Sequence, residues 1–304
     1  MPLRKALLFL SRLRWLRRWT EQSKITRRLV RRFVAGNRLD DAIRTCHSLK
    51  SEGILATLDH LGENVKSLEE ADSSVEEALE ALRRIKDEQL PSTISIKLTQ
   101  FGLDISEEKC RANVTLVVEE AKAAQTQVEV DMESSRYVDR TLDLVRHLHQ
   151  DYGNVRAVIQ AYLYRSEQDV RRLCAGRIPV RLCKGAYLEP AEVAFPEKTR
   201  VDGNYRKLMK ILLEDGICPA LATHDAALLT EAQLLVRHLG LQPHQYEFQM
   251  LYGVRRKLQR ELVSQNHRLR LYVPYGVAWY PYFMRRLAER PANVVFLVRQ
   301  LVRN

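Results

Sequence analysis

Residues 178–190 read IPVRLCKGAYLEP. A short apolar run, 178–183, carries Arg181 within it and gives way to a loop at Lys184 and Gly185. Such a run bounded by a glycine is the pattern of a buried strand. The two cations at its end can neutralise a phosphate or an electron-rich ring, and the glycine lets a ligand approach the backbone closely. Working outward, seven more runs read the same way: GILATLD (53–59), ISIKL (94–98), VEVD (128–131), RAVIQA (156–161), PALAT (219–223), YEFQM (246–250) and LRLYV (269–273). Between them, stretches such as 73–88, 134–153 and 226–241 have helical periodicity, with Ser or Asp near several starts and Gly near several ends. Eight strands alternating with helices predict a (β/α)8 TIM-type barrel.

Lys97, Asp131, Gln160, Arg181, Lys184, Thr223, His224, Gln249 and Tyr272 all fall at or just past the C-terminal ends of these strands. In a barrel those ends form one mouth, so residues far apart in sequence are expected to converge there. A further candidate lies in residues 271–296, LYVPYGVAWYPYFMRRLAERPANVVF. The adjacent guanidiniums of Arg285 and Arg286, set among aromatics, suit a small carboxylate held by paired hydrogen bonds. On a helix, Tyr282, Arg285 and Glu289 share a face, so Glu289 can hold Arg285 in place.

The 304 residues carry a net charge of +11, which invites a nucleic-acid reading until the charge is located. Residues 1–32 hold eleven Arg or Lys against one acid, Glu21, so the remainder is close to neutral. The basicity belongs to an arm, taken as residues 1–50, ahead of a barrel over 51–304. Leu, Phe and Trp interleave with arginines in 1–32 at near-helical spacing, which favours contact with an anionic membrane surface. Docking onto the rest of the protein, nucleic-acid binding and a transit peptide are the other readings; no nucleic-acid module accompanies the charge, and none is expected. No run of about 18 apolar residues occurs. Five cysteines without CxxC spacing predict free thiols in a reducing compartment, the cytoplasm, with neither disulfide nor metal. The twelve glycines include no GxGxxG, which argues against a Rossmann dinucleotide site.

The segments VRLCKGAYLEP, LATHD, YEFQMLYGVRRKL and RLYVPYG followed by YFMRRLAERPANVVF, in that order, resemble the proline dehydrogenase family from about Leu55 to Phe296. The resemblance implies a distorted (β/α)8 barrel whose last helix lies over the mouth. It also implies FAD as cofactor, L-proline as substrate and oxidation to Δ1-pyrroline-5-carboxylate, the first step of proline catabolism. By the same resemblance Arg285 and Arg286 take the proline carboxylate, and Lys97 stands at the substrate near Asp131. Tyr272 packs against the proline ring and restricts its substituents. Met132, Gln160, Arg181, Lys184, Gly185, Ala186, Thr223 and His224 line FAD, with Arg181 nearest the flavin N5. Glu63 pairs with Arg285 to close the site. A membrane quinone is implied as electron acceptor, which would put the protein peripherally on the inner membrane face. A separate pyrroline-5-carboxylate dehydrogenase is implied downstream, since the chain carries no aldehyde dehydrogenase domain. Hydroxyproline as substrate, and a catalytically silent barrel with a lipid- or nucleic-acid-binding arm, are the competing expectations. Cys183 stands where many relatives have a β-branched residue, and the basic arm is not part of the shared pattern.

Overall fold

The computed structural model describes residues 32–63, 65–280, 282 and 284 of the 304. Residues 1–31 of the basic arm, and Arg285, Arg286 and Glu289, lie outside the described residues. Eight parallel strands close into a barrel in chain order: β1 (Leu55–His60), β2 (Ser92–Ile96), β3 (Val128–Val130), β4 (Val155–Gln160), β5 (Val180–Cys183), β6 (Ala220–Ala222), β7 (Glu247–Leu251) and β8 (Leu269–Tyr275). Each of the eight runs read from the sequence overlaps one of these strands. Closure is made by β1 and β8, paired from Leu55 with Arg270 through His60 with Tyr275.

The helices start and stop where the side chains dictate. Leading into the barrel is α1 (Leu39–Ser51), followed by α2 (Leu68–Asp87) after β1 and α3 (Glu107–Ala123) after β2. Ser67 and Ser106 cap α2 and α3 by accepting from Glu70 N and Lys109 N, and acidic residues fill the first turn of each. α4 (Val138–Tyr152) ends on Gly153, whose φ of +77° closes the helix in the left-handed region that glycine enters at no steric cost. α5 (Ser166–Ala175), α6 (Lys198–Asp215), α7 (Ala226–His238) and α8 (Arg256–Ser264) follow β4 to β7 in turn. Asp225 caps α7 by accepting from Ala227 N.

The apolar core is the shell between sheet and helices. Val75, Ala78, Leu82 and Ile85 form one face of α2 and are buried with Leu58, Ile94, Ile96, Val128 and Val130 of the neighbouring strands. Each Val, Leu or Ile among them contributes about 1.5–3 kcal/mol when fully buried. α1 belongs to this shell: Ala42, Ile43, Cys46 and Leu49 are buried in it. The helix runs across residue 50, where the sequence pattern suggested a division. Among the described residues no helix is long and apolar enough to cross a membrane.

The barrel interior is ionic. Thr57, Asp59, Thr93, Ser95, Glu129, Arg156, Arg181, Glu247, Gln249 and Arg270 alternate with the shell residues along the strands and are all buried. Glu247 accepts from Arg156 Nη1 at 2.6 Å and from Arg270 Nε at 3.1 Å, while Glu129 Oε2 lies 3.0 Å from Arg181 Nη1. Gln249 bridges the two carboxylates, donating to Glu247 Oε1 at 2.6 Å and to Glu129 Oε2 at 3.2 Å.

Candidate active site

The C-terminal ends of the strands gather the polar residues that the sequence placed there. Lys97 follows β2 directly, and its backbone opens a 3-10 turn, Leu98–Phe101, that Gly102 ends at φ +96°. Its ammonium is buried between carboxylates: Asp59 Oδ1 at 2.6 Å, Asp131 Oδ2 at 3.3 Å and Glu63 Oε1 at 4.0 Å. Tyr272, from the middle of β8, accepts from Lys97 Nζ at 3.2 Å and donates to Asp131 Oδ2 at 2.7 Å. Asp131 Oδ1 accepts from Ser95 Oγ at 3.0 Å and from Arg181 Nη2. Arg181 also donates to Ser95 Oγ at 2.8 Å, and its guanidinium lies 5.3 Å from the centre of the Tyr272 ring. Asp131, Arg181, Tyr272 and Lys97 therefore form one hydrogen-bonded cluster drawn from four strands.

Electrostatics fix the charge states. Burial works against the Lys97 ammonium, but Asp59, Tyr272 and Asp131 outweigh it and hold the amine well above its ordinary range. Burial likewise opposes the Asp131 carboxylate, and Arg181 and Lys97 prevail to hold it below the usual carboxylate value. Asp59 goes the other way, because its burial exceeds the pull of Lys97 and its carboxyl is raised. Asp59 Oδ2 has no hydrogen-bond partner, which agrees with a group reluctant to ionise fully. The Tyr272 phenol is pushed well above its ordinary value by burial and by Asp131, so it remains a donor.

The other expected positions surround this cluster. Gln160, at the end of β4, donates to Met132 O at 2.7 Å and Glu133 O at 2.8 Å, leaving its buried Oε1 with no partner. Met132 and Thr223 are buried beside the mouth. His224 Nε2 accepts from Leu251 N at 2.8 Å, which puts its proton on Nδ1. Lys184 is bound by two carboxylates, Asp225 Oδ2 at 2.9 Å and Asp202 Oδ1, so its charge is already met from within the chain. Gly185 has φ +108°, and a Cβ there would fall 2.2 Å from the Tyr162 ring. The close approach that requires glycine at this point is thus that of a tyrosine ring. Ala186 follows on the same loop, partly exposed.

Sequence reasoning did not single out Asp59, the nearest carboxylate to Lys97, nor the deeper Glu129, Glu247, Arg156 and Arg270. The signal was present: each sits at an alternate position of an otherwise apolar strand. In a barrel that position faces inward, whereas in an open antiparallel sheet it would face water.

Comparison with known proteins identifies the family of the chain. The family model described as Proline dehydrogenase matches residues 42–299. Proline dehydrogenase 1 of Bacillus subtilis (strain 168) is 40% identical over 301 residues, which cover 99% of both chains. Proline dehydrogenase of Deinococcus radiodurans is 37% identical over 280 residues, 90% of each. Among solved structures, proline utilization A from Bdellovibrio bacteriovorus inactivated by N-propargylglycine superposes with a TM-score of 0.81 at 26% identity over 87% of this chain. The match covers 33% of that longer chain.

Proposed function

The chain belongs to the proline dehydrogenase family and is a proline-oxidising flavoenzyme, and on that premise we propose that its flavin is FAD, seated at the C-terminal mouth of the barrel. The observation that carries the reading is the buried Lys97–Asp131–Tyr272–Arg181 cluster at that mouth. When bound, FAD would supply the electron sink for the hydride that leaves proline C5 as Δ1-pyrroline-5-carboxylate forms. The residues fit such a group. Gln160 offers a buried acceptor, Oε1, whose amide nitrogen is already committed, and an isoalloxazine N–H edge would satisfy it. Arg181 keeps its positive charge and can stabilise negative charge gathering beside it. Met132, Lys184, Gly185, Ala186, Thr223 and His224 complete the lining.

Lys97 is held as an ammonium and has no lone pair to offer. The proton of the substrate ring nitrogen is left to Asp131 or to water beside it. With three carboxylates around one ammonium, the described part of the site suits the cationic nitrogen of an amino acid. Its carboxylate falls to Arg285 and Arg286, with Glu63 and Glu289 setting their position and closing the site. Tyr272, fixed at both ends of its hydroxyl, leaves little freedom for a ring substituent, which favours proline over hydroxyproline.

The arm also has a reading. Arg32 O lies where a Cβ on Gly253 would sit, at 1.6 Å, and Ala35 N donates to Pro274 O at 2.9 Å, so the chain leaves the arm beside the ends of β7 and β8. A basic arm starting there would turn the catalytic mouth toward an anionic membrane, within reach of a quinone as electron acceptor. The product would pass to a separate pyrroline-5-carboxylate dehydrogenase.

Anaerobic addition of proline to the purified yellow protein tests the central reading. Bleaching of the flavin spectrum is the expected result; an unchanged spectrum in flavin-loaded protein would overturn it. Arg285→Met should raise the KM for proline with flavin retained, and unaltered proline kinetics would remove the clamp.

A further inference from the structure

We propose that the opposite end of the barrel, its N-terminal mouth, is a binding site for a phosphate-type oxyanion. A cavity of about 540 Å3 opens there, at the starts of the strands and on the far side of the ionic interior from Lys97. Arg156, Arg268 and Arg270 line it together with Asn154, Thr93 and Cys218.

The three guanidiniums converge on one buried carboxylate. Glu247 stands 2.6 Å from Arg156 Nη1, 3.1 Å from Arg270 Nε and 3.3 Å from Arg268 Nε. The next carboxylate inward, Glu129, lies 3.6 Å from Arg156 but 3.0 Å from Arg181, which it also serves. Three positive charges therefore share one carboxylate and part of another, leaving a surplus beside an open cavity. The donors are not exhausted either. Arg156 Nε, buried, makes no hydrogen bond, and Arg156 is 3% exposed overall. Each guanidinium carries five N–H donors in a planar fork matched to tetrahedral oxyanions.

Asn154 narrows the class of ligand. Its Nδ2 donates to Val118 O at 3.1 Å and Thr126 O at 3.3 Å, and two carbonyl partners fix which end is the amide nitrogen. Its Oδ1 is then an acceptor with no donor to receive. A bare oxyanion offers nothing to that atom, whereas a protonated one offers a P–OH. The pairing of surplus guanidinium donors with one idle carbonyl fits hydrogen phosphate better than sulfate.

The test uses flavin-loaded enzyme, so that the cofactor site is filled, with inorganic phosphate as the probe at constant ionic strength and sulfate and chloride as controls. Phosphate should raise the melting temperature saturably and more than sulfate does, with chloride without effect. Arg268 is the most accessible of the three arginines and lies far from Lys97 in the fold. Arg268→Gln should weaken phosphate binding by about tenfold, the loss of one charge-assisted hydrogen bond, while turnover of proline is unchanged. In the unmodified protein, phosphate should also slow alkylation of Cys218 by iodoacetate, read by mass spectrometry, with Cys174 as the internal control. Equal stabilisation by all three anions, unaltered affinity in Arg268→Gln, or unprotected Cys218 would each overturn the proposal and leave a solvent-filled vestibule.

Discussion

At the C-terminal end of the barrel one ammonium, Lys97, faces three carboxylates, Asp59, Glu63 and Asp131; at the N-terminal end three guanidiniums, Arg156, Arg268 and Arg270, converge on Glu247. Both ends are built from buried ion pairs, yet the surplus has opposite sign. The catalytic end sets three carboxylates against Lys97 and Arg181, which leaves acidic groups for a substrate ammonium that must bind and be released. The other end holds Glu247 under threefold cover, a fixed fastening that leaves positive charge over for an anion at the cavity. The two should therefore answer differently to the same kind of substitution.

The largest expected effect is at the fastening. Glu247→Gln leaves Arg156 and Arg270 buried against a neutral amide and should cost about 3–5 kcal/mol, read as a fall in the urea midpoint. If the loss is under about 1 kcal/mol, the cover is not structural. The pH dependence follows the same logic. Burial opposes ionisation of both Glu129 and Glu247, but Arg181 and Arg156 around the first, and Arg270 and Arg156 around the second, hold both below the usual carboxylate range. A depressed carboxyl contributes stability that is present above its unfolded value of about 4 and is lost as pH falls through the folded value. Unfolding should thus steepen below about pH 4, and Glu247→Gln should flatten that limb.

At the catalytic end the same operation should act on rate. Lys97→Met strands Asp59 and removes one of the two cations beside Asp131, and should lower kcat/KM for proline by about 100-fold or more, with flavin still bound. Tyr272→Phe removes the bonds to Lys97 and Asp131 while keeping the ring, and a loss of about tenfold in kcat/KM is expected, with the preference for proline over hydroxyproline narrowed. The smallest effect sharpens the contrast most. Asp59→Asn keeps an acceptor for Lys97 and removes a carboxylate that burial already disfavours, so stability should change by less than about 1 kcal/mol. A loss as large as that of Glu247→Gln would erase the distinction between the ends.

How much of this could be read from residues alone depended on where polarity broke an apolar pattern. All eight strands were legible because short apolar runs alternate with longer helical stretches, and Lys97, Asp131, Arg181 and Tyr272 stood out as polar groups at one consistent end. Gln249 was read as a strand-end residue of the same set, and it lies deeper, bonded to Glu129 and Glu247. Glu129, Arg156 and Arg270 were passed over because a charged residue at alternate strand positions ordinarily marks a solvent face. Only closure of the sheet turns that face inward, and closure is a property of eight strands together. Lys184 and Gly185 show the converse. Their residue types fitted a ligand, while the partners that meet them, Asp202, Asp225 and Tyr162, come from segments that no local pattern links to them.

The seam between β1 and β8 joins residues 55–60 to 270–275, more than 200 positions later. During synthesis the first strand must wait, one edge bare, until residues 270–275 have emerged from the ribosome. The intermediate is an open, curling sheet whose inward face carries acids and bases still in contact with water. Those charges keep the unfinished cylinder wetted and discourage its bare edges from joining those of a neighbouring nascent chain, a protection that an aliphatic lining would not give.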